Sequence, residues 1–151
     1  TAAVLCGIPI RQAAIEFELA KEDRAKYLRR DQKLIDLFSH VSGFTHYMLA
    51  NGIREKIIPA LGILGLSPDT FAEIVTSEVV GVTKPQPDGF RYIMQKTGLA
   101  PETHLMIGDR ETVDLAPAKV LGMRTCLVWS DEKSEIADVT LPTVYDIVNI
   151  V

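Results

Sequence analysis

The residues with the clearest chemical potential are Gly108, Asp109 and Asp114. The apolar run Leu105-Met106-Ile107 leads into Gly108-Asp109, and Asp114 follows five residues after Asp109. Two carboxylates on so short a loop can face one cleft. Hard oxygen ligands in that arrangement suit Mg²⁺, which takes about one or two protein carboxylates and fills its remaining positions with water and phosphate. The plainer alternative is that Asp109 and Glu111 are turn and first-turn residues favoured by the helix dipole, with Asp114 solvated. Lys84, between Thr83 and Pro85, complements such a site, since an ammonium there would neutralise a phosphate beside the metal. Taken alone it reads as a surface lysine in a loop. Asn51-Gly52 offers amide donors and a backbone that an anion can approach closely, or simply a turn.

These residues need a scaffold that brings them to one edge. From Ile10 to His40 the apolar residues recur at three- and four-residue spacing, which predicts helices, with Asp31 as the N-cap of the second. Beyond Gly43 the period changes. Phe44 to Ala50, Phe71 to Thr76, His104 to Gly108 and Arg124 to Trp129 read as strands, and Ala137 to Leu141 as a short edge strand. Helices are predicted over Ile53 to Leu66, shortened or kinked by Pro59, and over Pro87 to Thr97, closed by Gly98. Two more follow, Thr112 to Leu121, closed by Gly122, and Pro142 to Ile150. Strands alternating with helices predict βαβ units and a parallel sheet covered on both faces. In such sheets ligands bind at the carboxyl ends of the strands, where Asn51, Lys84, Asp109 and Asp114 fall. The expected fold class is α/β, a Rossmann-like three-layer parallel sheet with an N-terminal helical segment. One domain covers 1–151, its core spanning 44–151.

Composition narrows the partners. The 151 residues carry 16 Lys and Arg against 20 Asp and Glu, a formal charge of −4, with 47% hydrophobic and 7% aromatic residues. This describes an ordinary, mildly acidic globular domain. Its longest basic cluster, Arg24 to Arg30, is interrupted by Ala25, Tyr27 and Leu28. Nucleic acid and anionic membranes are therefore not expected as partners. No stretch approaches the roughly 18 apolar residues of a membrane span, and Thr1 to Ile10 has no positive leader region, so a cytoplasmic protein is expected. Cys6 and Cys126 sit singly in apolar runs and read as small core residues. Whether the chain forms a homo-oligomer is left open.

Taken together, Leu49-Ala50-Asn51-Gly52, the segment Thr76-Ser77-Glu78 through Gly81 to Thr83-Lys84-Pro85, and Ile107-Gly108-Asp109-Arg110 through Asp114 to Gly122-Met123 resemble the haloacid dehalogenase superfamily of phosphohydrolases. The likeness is closest to the small archaeal and bacterial phosphatases with a helical cap. It covers about Arg30 to Val151, and the late stretch from Ser134 to Ile147 resembles the usual family ending. The resemblance implies a fold of the expected class, Mg²⁺ as cofactor and a small phosphorylated metabolite as substrate, attacked by aspartyl-phosphate chemistry. Lys84 matches the third motif, whose lysine stabilises phosphoryl charge. Asp109 and Asp114 match the metal-binding fourth motif, and Asn51 and Gly52 flank the second.

Two departures stand beside these matches. The second-motif hydroxyl position is Ala50, and no Asp-x-Asp, the family's nucleophile motif, occurs in the sequence. Phosphatase activity is therefore expected to be impaired in these residues. Two readings of the N-terminal region follow. Thr1 to Gly7 serves as a degenerate central strand, which would put Cys6 or Gly7 near the nucleophile position. Alternatively the motif lies in upstream sequence, and Thr1 to Tyr27 is a remnant of the cap. A non-catalytic phosphate- or metal-binding module, or one part of an assembly in which another segment supplies that strand, is the competing functional class.

Overall fold

A computed structural model describes residues 27–151. The chain divides into two compact units, Thr1–Thr83 and Lys84–Val151. The expectations for Thr1 to Gly7, Cys6 and the first helices lie outside the described residues.

In the first unit, α1 (Gln32–His40) starts where Asp31 accepts a 3.0 Å hydrogen bond from the Leu34 amide, as the sequence predicts. The strand β1 (Tyr47–Ala50) leads into α2 (Arg54–Leu64), and β2 (Glu73–Thr76) leads into the single turn α3 (Ser77–Val80). β1 and β2 pair in parallel with Ala50 opposite Thr76, so both carboxyl ends lie at one level. Pro59 sits inside α2 without ending it. The expected shortening at Pro59 does not occur: one lost N–H is tolerated on an exposed face, and the helix runs on to Gly65. Gly65 is needed there, with φ +91° and a hypothetical Cβ only 2.7 Å from Ile35 Cδ1. Leu61, Leu66 and Ile74 form the core, packed by Leu34, Ile35, Phe38, Met48, Ile57, Ile58 and Phe71. Phe38 stands edge-on to His46 and Phe71.

In the second unit, α4 (Asp88–Thr97) precedes β3 (Leu105–Gly108), followed by a π-helical turn (Glu111–Leu115), α5 (Ala116–Val120), β4 (Arg124–Val128) and β5 (Val139–Leu141). The three strands are parallel in the order β3-β4-β5, with Gly108 opposite Leu127. A 3₁₀ segment, Val144–Asn149, closes the chain behind a reciprocal cap between Thr143 and Asp146. Phe90, Leu115, Ala118, Cys126, Val128 and Ile147 are buried. Burial pushes the Cys126 thiol up from its usual range, which keeps it protonated and inert.

Several boundaries differ from the sequence reading. The helix expected over Thr112 to Leu121 is a π turn followed by a five-residue helix. Pro117 accounts for this, because it has no N–H to donate back to Val113 and its ring crowds that carbonyl. The last helix is 3₁₀. The strand expected to reach Trp129 stops at Val128, and Trp129 takes a left-handed φ of 63° with its ring edge-on to Tyr145.

Candidate functional site

In the second unit the carboxyl end of β3 is shaped by one close approach. A Cβ on Gly108 would lie 2.6 Å from the Asp114 Cβ. Glycine at this position lets the loop fold back so that Asp114 packs directly over the strand end. The Asp114 amide donates to the Arg110 carbonyl at 2.8 Å, which holds the carboxylate in the first turn after the loop.

Lys84 Nζ lies 2.6 Å from Asp114 Oδ1, and both side chains are almost wholly buried, at 8% and 3% exposure. That oxygen accepts no hydrogen bond of good geometry, so the lysine's charge is what compensates it. Asp114 Oδ2 accepts from Arg110 Nε at 3.3 Å. Arg110 Nε is also 3.9 Å from Asp109 Oδ1, at the outer limit of an ion pair. Asp109 itself is open, its side chain 65% exposed.

The two acidic residues are thus unlike each other. Asp114 is buried between two cations, whereas Asp109 is a solvent-facing carboxylate on the same loop. Mg²⁺ keeps several waters and needs about one or two carboxylates; the exposed Asp109 is the carboxylate here that is open to such an ion, while Lys84 and Arg110 hold both Asp114 oxygens. Among the described residues no group of three or more His, Cys, Asp or Glu forms a metal cage. A site here would complete its shell with water and phosphate.

In the first unit Asn51 and Gly52 join β1 to α2, with Ile53 buried at the helix N-cap. No N-cap side chain serves α2. Instead Glu78 Oε2 accepts from the Arg54 amide at 2.7 Å and from Thr76 Oγ1 at 3.3 Å. The structure therefore pairs Lys84 with Asp114 and keeps Asp109 on the segment that leads to Asp114, while Asn51 and Gly52 belong to the other unit. Arg110 and Glu78 were not among the sequence candidates. The four-residue spacing of Arg110 and Asp114 was a usable signal for the first, but nothing local marks the bond from Glu78 to Arg54, 24 residues away.

The haloacid dehalogenase-like hydrolase family model matches residues 12–122. Glyceraldehyde 3-phosphate phosphatase from Methanocaldococcus jannaschii is 34% identical over 109 residues, covering 69% of this chain and 47% of that protein. Phosphoserine phosphatase from Thermus thermophilus is 36% identical over 129 residues, covering 83% and 49%. Among solved structures, the putative HAD-hydrolase YfnB from Bacillus subtilis, bound to magnesium, superposes with a TM-score of 0.70 at 28% identity, over 80% of this chain and 54% of that one. The chain spans about half the length of these relatives.

Proposed function

Because this chain belongs to the haloacid dehalogenase-like hydrolases and shares their α/β fold, we propose that it binds the phosphoryl group of a small phosphorylated metabolite beside Mg²⁺, at the carboxyl end of β3. The observation that carries the proposal is the buried Lys84–Asp114 ion pair next to an open Asp109. A lysine held by a buried carboxylate keeps its positive charge at a fixed point, so little reorganisation is needed when an anion arrives. Asp109 would hold the metal, with Asp114 on the same loop as its partner. Mg²⁺, when bound, would neutralise phosphoryl charge. In the first unit, the Asn51-Gly52 loop at the carboxyl end of β1 is a second candidate for donating to phosphate oxygens.

The relatives' names support a small phosphate ester as substrate class and phosphate hydrolysis as the lineage's reaction. A cytoplasmic setting belongs to the same proposal. Turnover needs an attacking carboxylate, and no Asp-x-Asp is present in the 151 residues, while Ala50 removes one hydroxyl donor. Hydrolysis by these residues alone should therefore be orders of magnitude slower than binding would suggest. That same sequence observation favours a second reading, a module that binds phosphate and metal without turnover or that acts with a segment supplied elsewhere.

Calorimetric titration with orthophosphate, with and without MgCl₂, tests the proposal. Saturable binding that depends on Mg²⁺ is expected, together with near-background hydrolysis of para-nitrophenyl phosphate. Absence of binding would overturn the phosphate reading. Robust Mg²⁺-dependent turnover would show that the impairment is wrong and that an unassigned nucleophile exists.

A further inference from the structure

The loop between β1 and α2 is only three residues long, Asn51, Gly52 and Ile53. Both of its ends are held by one short segment of the same unit. Ala50 is the register partner of Thr76, which fixes the strand end. The Arg54 amide, first in α2, donates to Glu78 Oε2 at 2.7 Å, which fixes the helix end. Thr76 and Glu78 are two residues apart, and the buried Thr76 hydroxyl donates to the same Oε2 at 3.3 Å, which orients the carboxylate. Ile53, the N-cap residue, is 2% exposed and has no side-chain oxygen to offer. Glu78 thus does from across the sheet what a Ser or Asp cap would do locally, with the added strength of a charge-assisted bond at the positive end of the helix.

We propose that Glu78 is a positioning residue: its carboxylate clamps the helix end of the Asn51-Gly52 loop and so holds the loop's donors in a single geometry. The inference rests on the proposal that this loop donates to phosphate. The clamp works through the loop backbone and requires no contact between Glu78 and phosphate. An oxygen at this position matters more than its full charge, because the Arg54 amide needs an acceptor. Glu78→Gln should therefore retain most of the effect, and Glu78→Ala should lose it.

Two readouts on the intact chain separate the clamp from the phosphate reading. Amide hydrogen exchange at Gly52, Ile53 and Arg54 reports on loop order, and titration with orthophosphate in MgCl₂ reports on affinity. Glu78→Ala should speed Arg54 exchange by about tenfold and weaken phosphate binding by about tenfold, with Glu78→Gln within about threefold of the parent in both. Thr76→Val, which removes only the orienting hydroxyl, should fall between them and serves if Glu78→Ala does not fold. Unchanged exchange and affinity in Glu78→Ala would overturn the proposal, as would a Glu78→Gln variant as damaged as the alanine. If the parent chain binds no phosphate, the phosphate reading fails, and Arg54 exchange alone then decides whether the clamp exists.

Discussion

At the residue scale, the contrast between Asp109 and Asp114 carries the chemistry. Removing one member of a buried ion pair leaves the other charge uncompensated. Lys84→Met should therefore lower stability by about 3 kcal/mol, read as a fall in the urea midpoint, while weakening phosphate binding at least tenfold. The double change Lys84→Met with Asp114→Asn removes the stranded charge. It should recover most of the stability without recovering binding, which distinguishes a fold defect from a lost anion contact. Asp109→Asn should leave stability nearly unchanged, because its side chain is exposed, and should abolish the Mg²⁺ dependence of binding. Gly108→Ala inserts a methyl group where Asp114 Cβ stands 2.6 Å away. It should displace Asp114 from Lys84 and reproduce the Lys84→Met loss of affinity.

At the scale of elements, the sequence was informative where one local rule decides the outcome. The Asp31 cap, the closure of α4 by Gly98 and the placement of Gly122 after α5 follow from side-chain capping and left-handed glycine geometry, and all are present. The Asn51-Gly52 loop follows β1 and the loop carrying Asp109 follows β3, because strand periodicity fixes where a parallel strand ends. What escaped the reading depends on partners distant in sequence or on a single proline. Pro117 breaks the expected helix into a π turn and a short α-helix, and Trp129 leaves the strand in a left-handed conformation. Another distant partnership joins the starts of β4 and β5. Asp138 accepts from the Thr125 amide and hydroxyl at 2.8 and 3.0 Å and pairs with Lys119. The Lys119 ammonium, together with the Thr125 donors, holds the Asp138 carboxyl below its ordinary range. A carboxylate lowered on folding stabilises the native state above its unfolded pKa and loses that contribution as pH falls through the folded value. Thermal midpoints should accordingly drop as pH falls below about 4, and Asp138→Asn should flatten that part of the curve. An unchanged acid slope in the variant would place the loss elsewhere.

At the scale of the whole molecule, net charge and composition describe a mildly acidic chain, and among the described residues no helix is long and apolar enough to cross a membrane. Each unit carries its own parallel strands, with Asn51 and Gly52 in the first and Lys84, Asp109 and Asp114 in the second. The ordered run of motifs made the family legible in the sequence, whereas the division into units depends on packing and was not read from periodicity. The measurement that bears most directly on the phosphate site is a titration of the isotopically labelled chain with orthophosphate in MgCl₂, followed by amide chemical shifts. Saturable shifts are predicted at Lys84 and from Gly108 through Asp114, with one dissociation constant that rises at least tenfold in the Lys84→Met, Asp114→Asn double variant. Shifts that do not saturate, or that cluster away from these residues, would contradict the account.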